Sequence, residues 1–205
     1  MKRKNIFGLL VVAIIGVTVF NFITAGENEN EYTDRIDENR VSRDRFMKSN
    51  SSPFMPDDKI DFEGLKYFPV DPSLKIRARL ILAERKLPVL ITTTTGEKRK
   101  YITIGHAEFE LEGKPQRLLI YQDFEERNGN VLSLMFADET SAISTYGGGR
   151  YIELKKDSNN AITIDFNMAY NPFCHFNDEY SCPIPPRENL MNVAIEAGEK
   201  LYKAS

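Results

Sequence analysis

At 205 residues, with 41% hydrophobic and 28% charged residues, the chain has the length and balance of one ordinary globular domain plus a tail. A net charge of −3, with no basic stripe beyond the extreme N-terminus, excludes a nucleic-acid footprint. Tryptophan is absent, so any stacking on a ligand falls to the 13 Phe and 9 Tyr.

Lys2, Arg3 and Lys4 precede an apolar run, "IFGLLVVAIIGVTVFNFITA" (6–25), and an acidic stretch follows at once. Positive before and acidic after orients the run with its N-terminus inside the cell. Twenty helical residues rise about 30 Å, enough to cross the hydrocarbon core. Residues 1–25 therefore read as a signal peptide cleaved after Ala25 or as an uncleaved signal anchor. Either way the rest is exported, periplasmic or tethered to the membrane through residues 6–25. No cysteine follows the run, which excludes a bacterial lipid anchor.

Residues 26–52 are densely charged, with Tyr32, Ile36 and Phe46 recurring on a loose helical face. They read as an exposed helical linker, stopped by Pro53 and Pro56. From residue 53 to 205 the period changes to two. "LKIRARLIL" (74–82) alternates, and β-branched runs flank Thr95-Gly96-Glu97 as in a hairpin. A second hairpin turns at Gly113-Lys114-Pro115, "NVLSLMF" forms a strand, and a third hairpin turns over Asp157–Asn160. "NLMNVAIEAGEKLY" fits either period: Leu190, Met191, Ala194 and Ile195 suit a helix, while Met191, Val193 and Ile195 suit a strand. About seven short strands predict a mainly β fold, an antiparallel sandwich or barrel, preceded by the signal or transmembrane helix and the short charged helix.

Signatures of P-loops, nucleophile elbows and HExxH zinc enzymes are missing. Three constellations remain. In "ADETSAISTYGGGRYI" (137–152) the glycines could form an anion nest closed by Arg150, with Asp138, Thr140 and Tyr146 adding polar contacts. The same run could be a glycine-rich turn with Arg150 paired to a carboxylate. In "DFNMAYN" (165–171), Asp165, Asn167 and Asn171 could bind a ligand or satisfy backbone groups where a strand leaves the sheet. "YNPFCHFNDEYSCPIPPREN" (170–189) holds Cys174 and Cys182, the two cysteines of the chain. In an exported domain they read as a disulfide; free structural thiols, or zinc with His175 or His106, are the alternatives. No cofactor is expected beyond that zinc alternative.

The patterns "FxDxTSxxxTYGxGRYI", "DFNxAYNPxC" and "CPxPPxENxL…IxAGEK" resemble the bacterial and archaeal family called domain of unknown function 1684. Asp138, Thr140, Tyr146, Gly147, Gly149, Arg150, Asp165, Asn167, Tyr170, Asn171, Cys174, Cys182, Asn189 and Glu199 sit as the family pattern has them. Gly148 and His175 depart from it. The resemblance spans roughly 30–203 and carries no settled activity. It implies a shared polar site as well as a shared fold. The expectation is a pocket for a small polar or anionic ligand, bound or hydrolysed, built from Arg150, Gly147, Gly149, Asn167, Tyr170 and Asn171. Asp138 or Asp165 would act as base and Tyr146 as proton donor. The competing expectation is an envelope structural or interaction module whose polar motifs only fix loops.

Overall fold

The computed structural model describes residues 28–55, 62–125, 131–157 and 160–202. The apolar run 6–25 lies outside them. Among the described residues no helix is long and apolar enough to cross a membrane. Two compact units are distinguished, one up to Arg35 and one from Ile36. Helix α1 (Glu29–Met47) runs through the boundary. It opens on a reciprocal cap: Asn28 Oδ1 accepts the Glu31 N–H at 3.0 Å, and the Glu31 carboxylate accepts the Asn28 N–H at 3.3 Å.

From Ile36 onward the helix is not the exposed linker of the sequence reading. Ile36 and Met47 are fully buried. Met47 packs with Phe54 and Phe62 in a small core ringed by Phe46, Leu65, Phe176 and Tyr202. The Asp44 carboxylate accepts the Leu65 N–H at 3.0 Å, and Arg40 donates to the Phe68 carbonyl at 2.9 Å. The domain thus begins before Pro53, inside the charged helix.

Seven strands follow: β1 (Lys75–Leu82), β2 (Pro88–Thr92), β3 (Lys98–Leu111), β4 (Lys114–Asp123), β5 (Leu132–Phe136), β6 (Arg150–Leu154) and β7 (Ala161–Asp165). They form one antiparallel sheet in the order β6-β5-β4-β3-β1-β7, with β2 beside the first half of β3. The sheet curls into a half-barrel. Its first and last strands approach across the β6–β7 connection, where Lys156 bridges Ile162. Of the two expected β architectures, the curled single sheet replaces the sandwich. The bend is set at Gly105, where the β3–β4 register shifts; a Cβ there would lie 2.1 Å from the Ile81 carbonyl.

Alternation sends one face inward. Leu80, Ala107, Ile120, Leu134, Ile152 and Ile162 form the main core with Phe136 and Phe166. The segment after the last strand completes it. Met191, Val193, Ile195 and Ala197 are buried while Asn192, Ala194 and Glu196 are exposed, so the period-two reading of "NLMNVAIEAGEK" holds. Yet this strap joins no ladder as a named strand, and its backbone groups need other partners. Some come from the loop after β5: Met191 N–H donates to the Ala137 carbonyl at 2.8 Å, and Glu139 N–H to Val193 at 3.1 Å.

The proline-rich segment 170–183 touches the outer strand β6 and the end of β2. Tyr170 exchanges two 2.9 Å backbone bonds with Tyr151 on β6, and Pro183 bridges Thr93 at the end of β2.

Candidate functional site

Arg150 starts β6 and points into the closed interior, 1% exposed. Its guanidinium donates to Asp138 Oδ2 at 2.9 Å, both side chains being 1% exposed, and to the Ile195 carbonyl at 2.9 Å. It also donates to the carbonyls of Ala197 and, at 3.3 Å, Glu199. Ile195, Ala197 and Glu199 are alternate residues of the strap. One side chain thus supplies the donors that a neighbouring strand would otherwise supply. The other Asp138 oxygen accepts from Thr140 N–H at 2.8 Å, the Thr140 hydroxyl at 2.6 Å and Ile195 N–H at 3.2 Å. Burial pulls the Arg150 pKa down and the Asp138 charge opposes it. For the anion-binding role expected of Arg150, the structure shows an enclosed group whose two terminal nitrogens are spent on Asp138 and the strap, with Nε lacking a partner among the described residues. Asp138, expected as a base, likewise has both oxygens hydrogen-bonded to the scaffold.

The glycine loop serves the same closure. Gly149 has φ +87°, and a Cβ there would sit 2.5 Å from Pro185 Cγ and 2.7 Å from the Phe136 carbonyl. Its N–H donates to the Tyr146 carbonyl at 3.1 Å, which is a turn and not an open nest. A Cβ on Gly147 would meet Ala142 at 3.2 Å.

Two asparagines repeat the device. Asn167 accepts the Asp71 N–H at 2.8 Å and donates to the Asp71 carbonyl at 2.7 Å, so its amide pairs with that residue as a ladder neighbour would. Asp165 caps the short turn Phe166–Met168 by accepting the Asn167 N–H at 3.1 Å. Asn189, fully buried, clamps Leu119 through both N–H (2.7 Å) and carbonyl (3.0 Å) and donates to the Met135 carbonyl at 2.7 Å. It fills the gap between β4 and β5, which share the single paired position Tyr121–Ser133.

Tyr170 and Asn171 belong elsewhere, with residues the sequence did not single out. A cavity of about 330 Å³ is lined by Arg43, Phe46, Tyr67, Glu153, Tyr170, Phe173 and Glu199, among others. Glu199, 1% exposed, is paired with Arg43 and accepts the Asn171 N–H at 2.9 Å. The Arg43 guanidinium lies 4.7 Å from the Tyr170 ring centroid and donates to the Asn171 carbonyl at 3.1 Å. Burial pushes the Glu199 carboxyl up from its ordinary value, with Arg43 opposing. Burial, then the Glu199 charge, raises the Tyr67 phenol, which therefore stays protonated. Its hydroxyl is buried and has no hydrogen-bond partner among the described residues. Arg43 was hidden in the charged linker. Glu199 was legible in part, because it continues the apolar alternation 191–197, and a carboxylate on a buried face needs a partner.

Tyr146 meets the cysteines. Its hydroxyl donates to Cys174 Sγ at 3.7 Å, and its ring lies 4.8 Å from that of His175. Cys174 and Cys182 are free and buried, so the expected disulfide is not formed in this structure. Instead the Cys182 sulfur accepts the Cys174 N–H at 3.2 Å. His175 accepts the Tyr202 N–H at 3.1 Å, and burial takes its pKa down to about 4. His106 sits on the sheet face opposite Ala107, between Glu108 (3.0 Å) and Arg117 (3.3 Å). Among the described residues no three His, Cys, Asp or Glu side chains are placed to share a metal ion. Cys174, Cys182 and His106 therefore do not assemble as the zinc alternative required.

The sequence model of one family, described as a protein of unknown function (DUF1684), matches residues 60–200. The solution NMR structure of an uncharacterised protein from Haloarcula marismortui superposes with a TM-score of 0.66. It is 33% identical, over 83% of this chain and 95% of that one. Comparison with curated proteins yields no match.

Proposed function

The chain belongs to the DUF1684 family, and on that premise we propose that it is an exported, β-rich binding domain for a small neutral or cationic molecule. The ligand would enter the cavity over the Arg43–Glu199 pair. The observation that carries the reading is the cavity itself: about 330 Å³, walled by Phe46, Tyr67, Tyr170 and Phe173, where the buried Tyr67 hydroxyl has no partner among the described residues. Aromatic walls with one or two polar groups are the usual make-up of a small-molecule site. Charge selects the ligand class. Arg43 is already spent on Glu199, and Glu153 adds an exposed carboxylate, so no cation is left for an anion. The reading includes no catalytic step, because Asp138 and Asp165 are both committed to structural hydrogen bonds.

Native mass spectrometry of the full chain purified from its own host tests the reading. A bound small molecule should appear in the wild type and be lost in Tyr170→Ala. A bare mass in the wild type, or a mass the variant retains, would refute it. Export rests on Lys2-Arg3-Lys4 and the apolar run 6–25. Protease added outside spheroplasts should digest the domain; protection would refute export.

A second reading, an envelope structural or interaction module, is favoured by a separate observation. Asp138, Arg150, Asn167 and Asn189 all spend their polar groups on the scaffold.

A further inference from the structure

We propose that Cys174 and Cys182 form a peroxide-reactive dithiol site, with Cys174 the attacking sulfur and Cys182 the resolving one. The two cysteines are already in contact: the Cys182 sulfur accepts the Cys174 N–H at 3.2 Å. The Tyr146 hydroxyl donates to Cys174 Sγ at 3.7 Å. A phenol donor thus reaches the Cys174 sulfur, an arrangement that favours a thiolate there.

The pair is asymmetric in mobility as well as in charge. Cys182 is stitched to the β2–β3 turn: its N–H donates to Thr94 Oγ1 at 3.2 Å, and its carbonyl accepts the Thr94 N–H at 2.8 Å. Next to it the Ser181 hydroxyl donates to Thr93 Oγ1 at 2.7 Å. Cys174 sits instead on a single short turn, Phe173–His175, with no side-chain cap. The hydrogen bond from Cys182 brings the Cys174 thiol down to about 7, and the same bond pushes the Cys182 thiol up. The Tyr146 hydroxyl and the uncapped turn thus single out Cys174 as the attacking sulfur, with Cys182 beside it to resolve.

Access sets the oxidant. Cys174 and Cys182 are buried, 7% and 8% exposed, which excludes a partner protein and leaves an oxidant as small as hydrogen peroxide. The Cys174 thiolate attacks one oxygen of hydrogen peroxide. The O–O bond breaks, Cys174 becomes a sulfenic acid, and the departing hydroxide takes a proton to become water. Cys182 then gives up its proton and attacks the Cys174 sulfur. The S–O bond breaks, the disulfide forms and a second water leaves. Two electrons pass from the dithiol to peroxide, and a thiol reductant restores the pair.

The test uses the reduced full chain and hydrogen peroxide at neutral pH. The intact mass should fall by two hydrogens, a peptide should link Cys174 to Cys182, and dithiothreitol should reverse both. Cys182→Ser should stop at a sulfenic acid on Cys174, trapped by dimedone, while Cys174→Ser should leave Cys182 unmodified. Tyr146→Phe should slow the wild-type reaction severalfold. The proposal is overturned if the folded wild type keeps both thiols under peroxide that oxidises the unfolded chain. It is equally overturned if dimedone marks Cys182 and not Cys174. The wild-type mass does not depend on any variant folding.

Discussion

Replacing Arg150 by Met keeps most of the side-chain volume and removes the guanidinium. Asp138 Oδ2 then loses its 2.9 Å donor in a place where the side chain is 1% exposed. The carbonyls of Ile195, Ala197 and Glu199 lose theirs together. Breaking one side of a buried ion pair costs about 3–5 kcal/mol, and each dry carbonyl left unmade adds about 1–3 before relaxation. The strap is free to shift, so these terms do not sum; the expected loss is about 4 kcal/mol. Against a typical total of about 5–15 kcal/mol that leaves a marginal domain. Urea unfolding followed by far-UV circular dichroism reads the cost, and amide exchange shows whether 190–200 loosens first. Asp138→Asn completes a double-mutant cycle, with an expected coupling above about 1 kcal/mol. A cost below about 1 kcal/mol for Arg150→Met, the range of an ordinary surface change, would refute the assignment and return Arg150 to the list of ligand-binding candidates.

Asn189→Ala strands both backbone groups of Leu119 and the Met135 carbonyl, for a loss of about 3 kcal/mol by urea unfolding. Gly149→Ala combines φ +87° with contacts at 2.5 and 2.7 Å and should lower the thermal midpoint, at a cost of about 2 kcal/mol or more. Tyr67→Phe removes a hydroxyl with no partner among the described residues, so stability should hold within about 0.5 kcal/mol while bound small molecule is lost. His175 stays neutral in the folded chain down to about pH 4, because burial lowers its pKa from the ordinary 6.5. Between those values the unfolded chain takes the proton first, so its contribution to stability is full above pH 6.5 and lost as pH falls toward 4. Glu199, raised by burial, acts with the opposite sign above its ordinary value. The slope should therefore be measured as the difference between wild type and His175→Asn; an unchanged slope would contradict the buried neutral imidazole.

The strands were legible because alternation reports which face is covered, and a turn such as Thr95-Gly96-Glu97 needs only local chemistry. The use of the polar motifs was not legible. A ligand site and a substitute for a backbone ladder call for the same residues: short, stiff amides and carboxylates, and a planar cationic fork. Asn167 on Asp71 and Asn189 on Leu119 differ from ligand-binding asparagines only in what stands opposite, and that lies 96 and 70 residues away. Arg43 and Glu199, 156 residues apart, show the same limit from the other side. The cavity they floor has no continuous signature, and α1, where one of them sits, reads as surface by composition alone.

The strap also sets a timetable. All seven strands are synthesised before residues 190–200, yet Met191, Val193, Ile195 and Ala197 fill the inside of the curl they make. Until those residues emerge, Leu80, Leu134 and Phe166 line an open trough, and Arg150 and Asp138 have no strap to hold. Closure thus depends on contacts of long sequence separation that the strands alone do not make. A chain stalled before residue 190 should be a protease substrate, however complete its strands.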